Sequence, residues 1–79
     1  MPLFRISVVN ENFSASDEHE LANASDARKE GLKGALAIGA DEVANGKRFF
    51  GAEVKVEQDG YLVERLVVSV GASPIEPNE

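Results

Sequence analysis

Seventy-nine residues suffice for one domain, and a chain this short buries only roughly 60% of its unfolded surface, so its stability margin is thin. Fourteen Asp and Glu against eight Lys and Arg leave a formal charge of −6, which speaks against nucleic-acid binding or docking on an anionic membrane, since both need a basic face. The absence of cysteine excludes disulfides and thiolate metal sites, so apolar packing must hold the fold, with self-association as a natural supplement.

The chain opens on Met1-Pro2-Leu3-Phe4-Arg5, which lacks the charged and apolar regions of a signal peptide. No apolar stretch approaches a membrane span, and the cytoplasm is the expected compartment. In residues 3–9, Phe4, Ile6 and Val8 alternate with Arg5 and Ser7, the period of a half-buried strand. Residues 10–23 are polar, and a structureless loop of that length is unusual in so small a domain. A short edge strand or an ordered excursion is expected there.

Residues 24–45 read as a helix. Asn23 and Ser25 are both good N-caps, Asp26 suits the positive end of the dipole, and Gly46 is a natural stop. Leu32, Ala35, Leu36, Gly39 and Val43 follow the spacing of one buried stripe. Ala27, Gly31, Ala35 and Gly39 form a second row, four residues apart and without bulk. Each glycine costs about 1 kcal/mol of helix propensity relative to alanine, so the row implies close approach to something. That something is either the domain's own sheet or the helix of a second copy, the latter by analogy with small-residue contacts in membranes.

Residues 51–57 alternate Ala52, Val54 and Val56 with Glu53, Lys55 and Glu57, and residues 61–70 form the last strand. Asp59-Gly60 between them is a hairpin signal. Residues 72–79, with Pro74 and Pro77, read as a flexible tail to a single domain over 1–71. The fold class is therefore α+β, in the order β-(β)-α-β-β, with one long helix on one face of a three- to four-stranded, mainly antiparallel sheet. The last strand is apolar on both faces, with Leu62, Leu66, Val68 and Val70 on one and Tyr61, Val63 and Val67 on the other. Two-faced strands tend to lie mid-sheet, which places 61–70 between 3–9 and 51–57 in a split β-α-β arrangement. One helix covers one face only, so Val63 and Val67 would meet water. Self-association is expected through that face, the sheet edge or the helix row, with Gly31, Ala35, Gly39, Tyr61, Val63 and Val67 as interface candidates.

Catalytic chemistry finds no set of residues. No serine stands in a Gly-x-Ser-x-Gly elbow, and the glycines of the helix lie inside it rather than before it, so they form no phosphate cradle. His19 is the only histidine and lies among Asp17, Glu18 and Glu20. These residues offer a divalent-ion site on one reading and a solvated acidic turn on the other. Residues from Asn10 onward echo a calcium loop but place Ala15 at its glycine and Leu21 at its bidentate glutamate. Of Phe49 and Phe50, one ring is expected in the core and the other over the helix end, with stacking on a ring ligand as the alternative.

The runs Ala35-Leu36-Ala37-Ile38-Gly39-Ala40-Asp41-Glu42-Val43, Phe49-Phe50-Gly51-Ala52-Glu53-Val54 and Val67-Val68-Ser69-Val70-Gly71-Ala72-Ser73-Pro74, with Gly46, resemble a family of small uncharacterised proteins. That family comes mostly from rhizobia and related α-proteobacteria and carries a domain of unknown function. The resemblance covers nearly the whole chain and implies a cytoplasmic stand-alone domain, without an activity or cofactor. In layout alone, the strand-helix-strand-strand order is similar to the dodecins, small flavin carriers that stack the flavin on tryptophan. This chain has no tryptophan, and its segment before the helix is longer. The leading functional expectation is a non-enzymatic, self-associating protein-interaction domain. A flavin carrier and a metal site at His19 are the alternatives.

Overall fold

A computed structural model describes residues 1–76. Its elements are β1 (Leu3–Val9), β2 (Ser14–Glu20), α1 (Ala24–Ala44), β3 (Phe49–Gln58) and β4 (Tyr61–Gly71). The four strands form one sheet in the order β2-β1-β3-β4, and every neighbouring pair is antiparallel. The α+β class follows.

Asn10 starts the first hairpin. Its Oδ1 accepts the N–H groups of Asn12 at 2.8 Å and Phe13 at 3.1 Å, and the Asn10 N–H donates to the Phe13 carbonyl at 3.0 Å. This side-chain mimic of a backbone turn folds the polar segment back along β1, so residues 14–20 form an edge strand. Phe13 closes the loop by stacking on Phe50, with ring centroids 6.5 Å apart.

The helix is capped at both ends. Asn23 Oδ1 accepts the Asp26 N–H at 2.8 Å. At the other end Gly46, at φ +114°, lets its own N–H reach the Val43 carbonyl and the Lys47 N–H reach the Glu42 carbonyl. That pair of bonds satisfies carbonyls the last turn would leave open.

The sheet order corrects the expected one. β3, not the last strand, is central, and β4 lies at the edge. The hairpin occupies one side of β1 with β2, so the strand that returns from the helix pairs on the free side of β1. β2 and β3 are then parallel with β1 between them, a split β-α-β unit. β3 carries its buried residues on one face: Phe50, Ala52, Val54 and Val56. With Phe4, Ile6, Val8 and Val68 they make the floor on which α1 lies.

The helix meets that floor through its small row. Ala27, Gly31, Ala35 and Gly39 are its buried residues, while Leu36 is 42% exposed. The bulky stripe expected in the core flanks the contact instead. A Cβ on Gly31 would sit 3.0 Å from Ile6 Cγ2 and closer still to Val54 Cγ1. One on Gly39 would sit 2.6 Å from Phe50 Cδ2 and 2.8 Å from Val70 Cγ2. The branched and aromatic side chains of the sheet thus rise into the space where glycine has no side chain. Gly34 points away, with nothing within 4 Å of such an atom.

β3 and β4 are joined at Asp59 and Gly60, both at positive φ (53° and 83°), the geometry of the tight hairpin turn that the Asp-Gly step foretells. The ladder between them slips at Val56/Glu57: Val56 opposes Glu64 but Glu57 opposes Leu62, leaving Val63 as the extra residue of a bulge. Leu62 is thereby turned from the helix face on which alternation places it to the face of Glu57. Residues 72–76 of the expected tail are exposed and carry no regular secondary structure, and residues 77–79 of it lie outside the described residues.

Candidate functional site

Three surfaces hold the residues singled out above. The first is the open face of the sheet, opposite the helix. Its rows follow from the register. Glu18, Arg5, Glu57 and Leu62 stand side by side across the four strands, then Ser16, Ser7, Lys55 and Arg65, then Ser14, Val9, Glu53 and Val67. Charges of opposite sign alternate along the first row, which favours cross-strand pairing. Arg65 pairs with Glu53, and the Ser7 and Ser16 hydroxyls lie 2.8 Å apart. The face is therefore mainly polar, and an apolar patch waiting for cover is absent from its centre among the described residues. Phe49 lies on this face beside Gly51, at 65% exposure, rather than over the helix end, while Phe50 is in the core.

The second surface is a groove of about 400 Å³ between β2 and α1. It exists because α1 lies chiefly over β3 and β4 and reaches only as far as β1. Ile6, Val8, Ala15 and Gly31 give it an apolar floor, and Asp17, His19, Glu30 and Lys33 a polar rim. Alternation along β2 splits the acidic segment: Asp17 and His19 face the groove, and Glu18 and Glu20 oppose Arg5 and Leu3 on the other face. The segment is thus an edge strand rather than a turn. Among the described residues no three His, Asp or Glu side chains converge in a way that would hold a metal ion. Sequence reasoning missed the groove. Its signal was the small residues Ala15, Gly31 and Gly34 on elements that turn out to face each other.

The third surface is the outer edge of β4 with the helix flank above it. The edge strand is 11 residues long. Tyr61, Leu62, Val63 and Val67 stand on it at 75%, 52%, 38% and 77% exposure. They are four of the nine large exposed apolar side chains among the described residues, which makes β4 the main apolar element of that surface. The flank is identified by an ion pair: Arg28 Nε lies 3.3 Å from Glu64 Oε1 of β4. Leu32 and Leu36, four and eight residues further along the helix, share that side.

The interface candidates therefore divide. Tyr61, Val63 and Val67 lie along the β4 edge. Gly31, Ala35 and Gly39 are covered by the chain's own sheet, so the small row is spent on intramolecular packing and is closed to a second helix while the domain is folded.

No helix of the described residues is long and apolar enough to cross a membrane. Compared with protein-family models, with curated proteins and with solved structures, the chain matches none.

Proposed function

We propose that this chain is a small, non-enzymatic protein-interaction domain that self-associates through the β4 edge. The observation that carries this reading is the nature of that edge. A long edge strand rich in valine and leucine, without proline, is a template for another strand. β4 offers one, with Val67 at 77% exposure near its middle.

The two sheet edges differ in a way that supports the choice. β2 carries Asp17, Glu18 and Glu20 and no Lys or Arg, and two copies would repel along it. β4 carries one Glu and one Arg, which cancel. The thin stability margin of a small, cysteine-free chain adds to the gain from a second copy.

Sedimentation velocity across a range of concentrations tests the reading. The expected result is a species of twice 8.5 kDa that grows with concentration and is lost in Val67→Lys. A chain that stays at 8.5 kDa at the highest concentration overturns it.

A further inference from the structure

We propose that two copies join β4 to β4 antiparallel about a two-fold axis through Val67, so that the two sheets run on as one, with both helices on the same side. This rests on the self-association proposed above and adds its register and symmetry, which four features of the chain select.

The first is parity. Directly opposed residues of an antiparallel pair share a face. About a two-fold axis at one residue, each position opposes the one equally far on the other side of that residue, so odd meets odd and even meets even. Helix-facing residues then meet helix-facing residues, and the two helices lie on one side.

The second is the bulge. Val63 is displaced from the ladder, which leaves Glu64–Val70 as the regular stretch before Gly71. Its midpoint is Val67. An axis at Leu66 would draw the bulged Val63 into the pairing. An axis at Val68 would set Glu64 against the partner's Ala72, beyond the strand.

The third is charge. An axis at Glu64 or Arg65 would place like charge on like. With the axis at Val67, Glu64 opposes the partner's Val70 and Arg65 opposes the partner's Ser69, while each keeps its own-chain partner, Arg28 for Glu64 and Glu53 for Arg65. Leu66 opposes the partner's Val68 on the helix side, and Val67 meets the partner's Val67 on the other.

The fourth is the helix flank. Leu36 is 42% exposed on the side of α1 that overhangs β4, with Leu32 half-buried beside it. In this register the two flanks face each other above the Leu66 and Val68 pairs. Apolar side chains thereby meet across the seam on the helix face, and the Val67 pair meets on the open face.

The chain contains no cysteine, so single-cysteine variants report unambiguously. Opposed Cβ atoms in an antiparallel pair lie about 4.5–5.5 Å apart, within reach of a disulfide. Under mild oxidation Val67→Cys is expected to cross-link to a covalent dimer. Arg65→Cys and Ser69→Cys are expected to cross-link poorly alone and efficiently when mixed, which guards against a strained geometry at the axis. Leu36→Glu is expected to weaken the dimer by sedimentation while leaving the far-UV circular dichroism of the monomer unchanged. Wild-type dimers whose cross-links favour another position, or form at none of these, overturn this register and leave self-association standing. A chain that remains monomeric and fails to cross-link overturns both readings, leaving β4 to a strand of a different protein.

Discussion

Replacing Gly31 and Gly34 in turn by alanine separates helix propensity from helix-to-sheet packing on adjacent turns of one helix. Each substitution gains about 1 kcal/mol of helix propensity. At Gly34 nothing lies within 4 Å of the new Cβ, so that gain stands alone. At Gly31 the new atom falls 3.0 Å from Ile6 Cγ2 and nearer to Val54 Cγ1. Val54 and Ile6 are buried and β-branched, with few rotamers to retreat into, and overpacking of this kind costs roughly 1–3 kcal/mol. Gly34→Ala is therefore expected to stabilise by about 1 kcal/mol. Gly31→Ala is expected to fall below it by roughly the whole overpacking cost of 1–3 kcal/mol. For a domain of this size each kcal/mol moves the melting temperature by about 4–8 °C. Thermal melts at matched protein concentration, with urea titrations as a second measure, read the difference. Equal stability of the two variants would refute the claim that the sheet side chains fill the glycine notch.

Gly39→Ala is expected to behave like Gly31→Ala, since Phe50 and Val70 occupy the space of its Cβ, and urea denaturation checks the lowered midpoint. Asn23→Ala removes the acceptor of the Asp26 N–H and is expected to cost about 1 kcal/mol, with Asn23→Ser restoring most of it in the same melt. Gly60→Ala forces a side chain into φ +83° and is expected to cost about 1–2 kcal/mol. A lowered urea midpoint at an unchanged m-value checks that loss of stability.

Much of the fold was legible because local signals agreed. The alternation of Phe4, Ile6 and Val8 and of Ala52, Val54 and Val56 marked two strands, Asn23 and Gly46 bracketed the helix, and Asp59-Gly60 joined the last hairpin. β2 was only half legible. Ser-Ala-Ser-Asp-Glu-His-Glu has little strand propensity of its own and is held by its pairing with β1, a non-local cause. The sheet order was misread because β4 is apolar on both faces, a pattern that a central strand and an unguarded edge share. Only the pairing of β3 with β1 separates them. The helix face was read from bulk, which favoured Leu32 and Leu36, whereas the contact depends on how close the backbone can come, which favoured Ala27, Gly31, Ala35 and Gly39. The bulge at Val63 left no mark in the sequence, because Tyr-Leu-Val-Glu-Arg-Leu alternates no more poorly than many regular strands.

The acidic strand at the far side of the sheet sets a limit on growth. A sheet with two receptive edges adds copies without end, and the product is a fibre. Here Asp17, Glu18 and Glu20 blunt one margin, so strand addition has a single place to happen. Any assembly built by extending this sheet is closed after one step, with its two acid margins turned outward. In such an assembly the carboxylates of β2 would act as terminators, and a variant that replaced them with threonine or valine would be the one to watch for filaments.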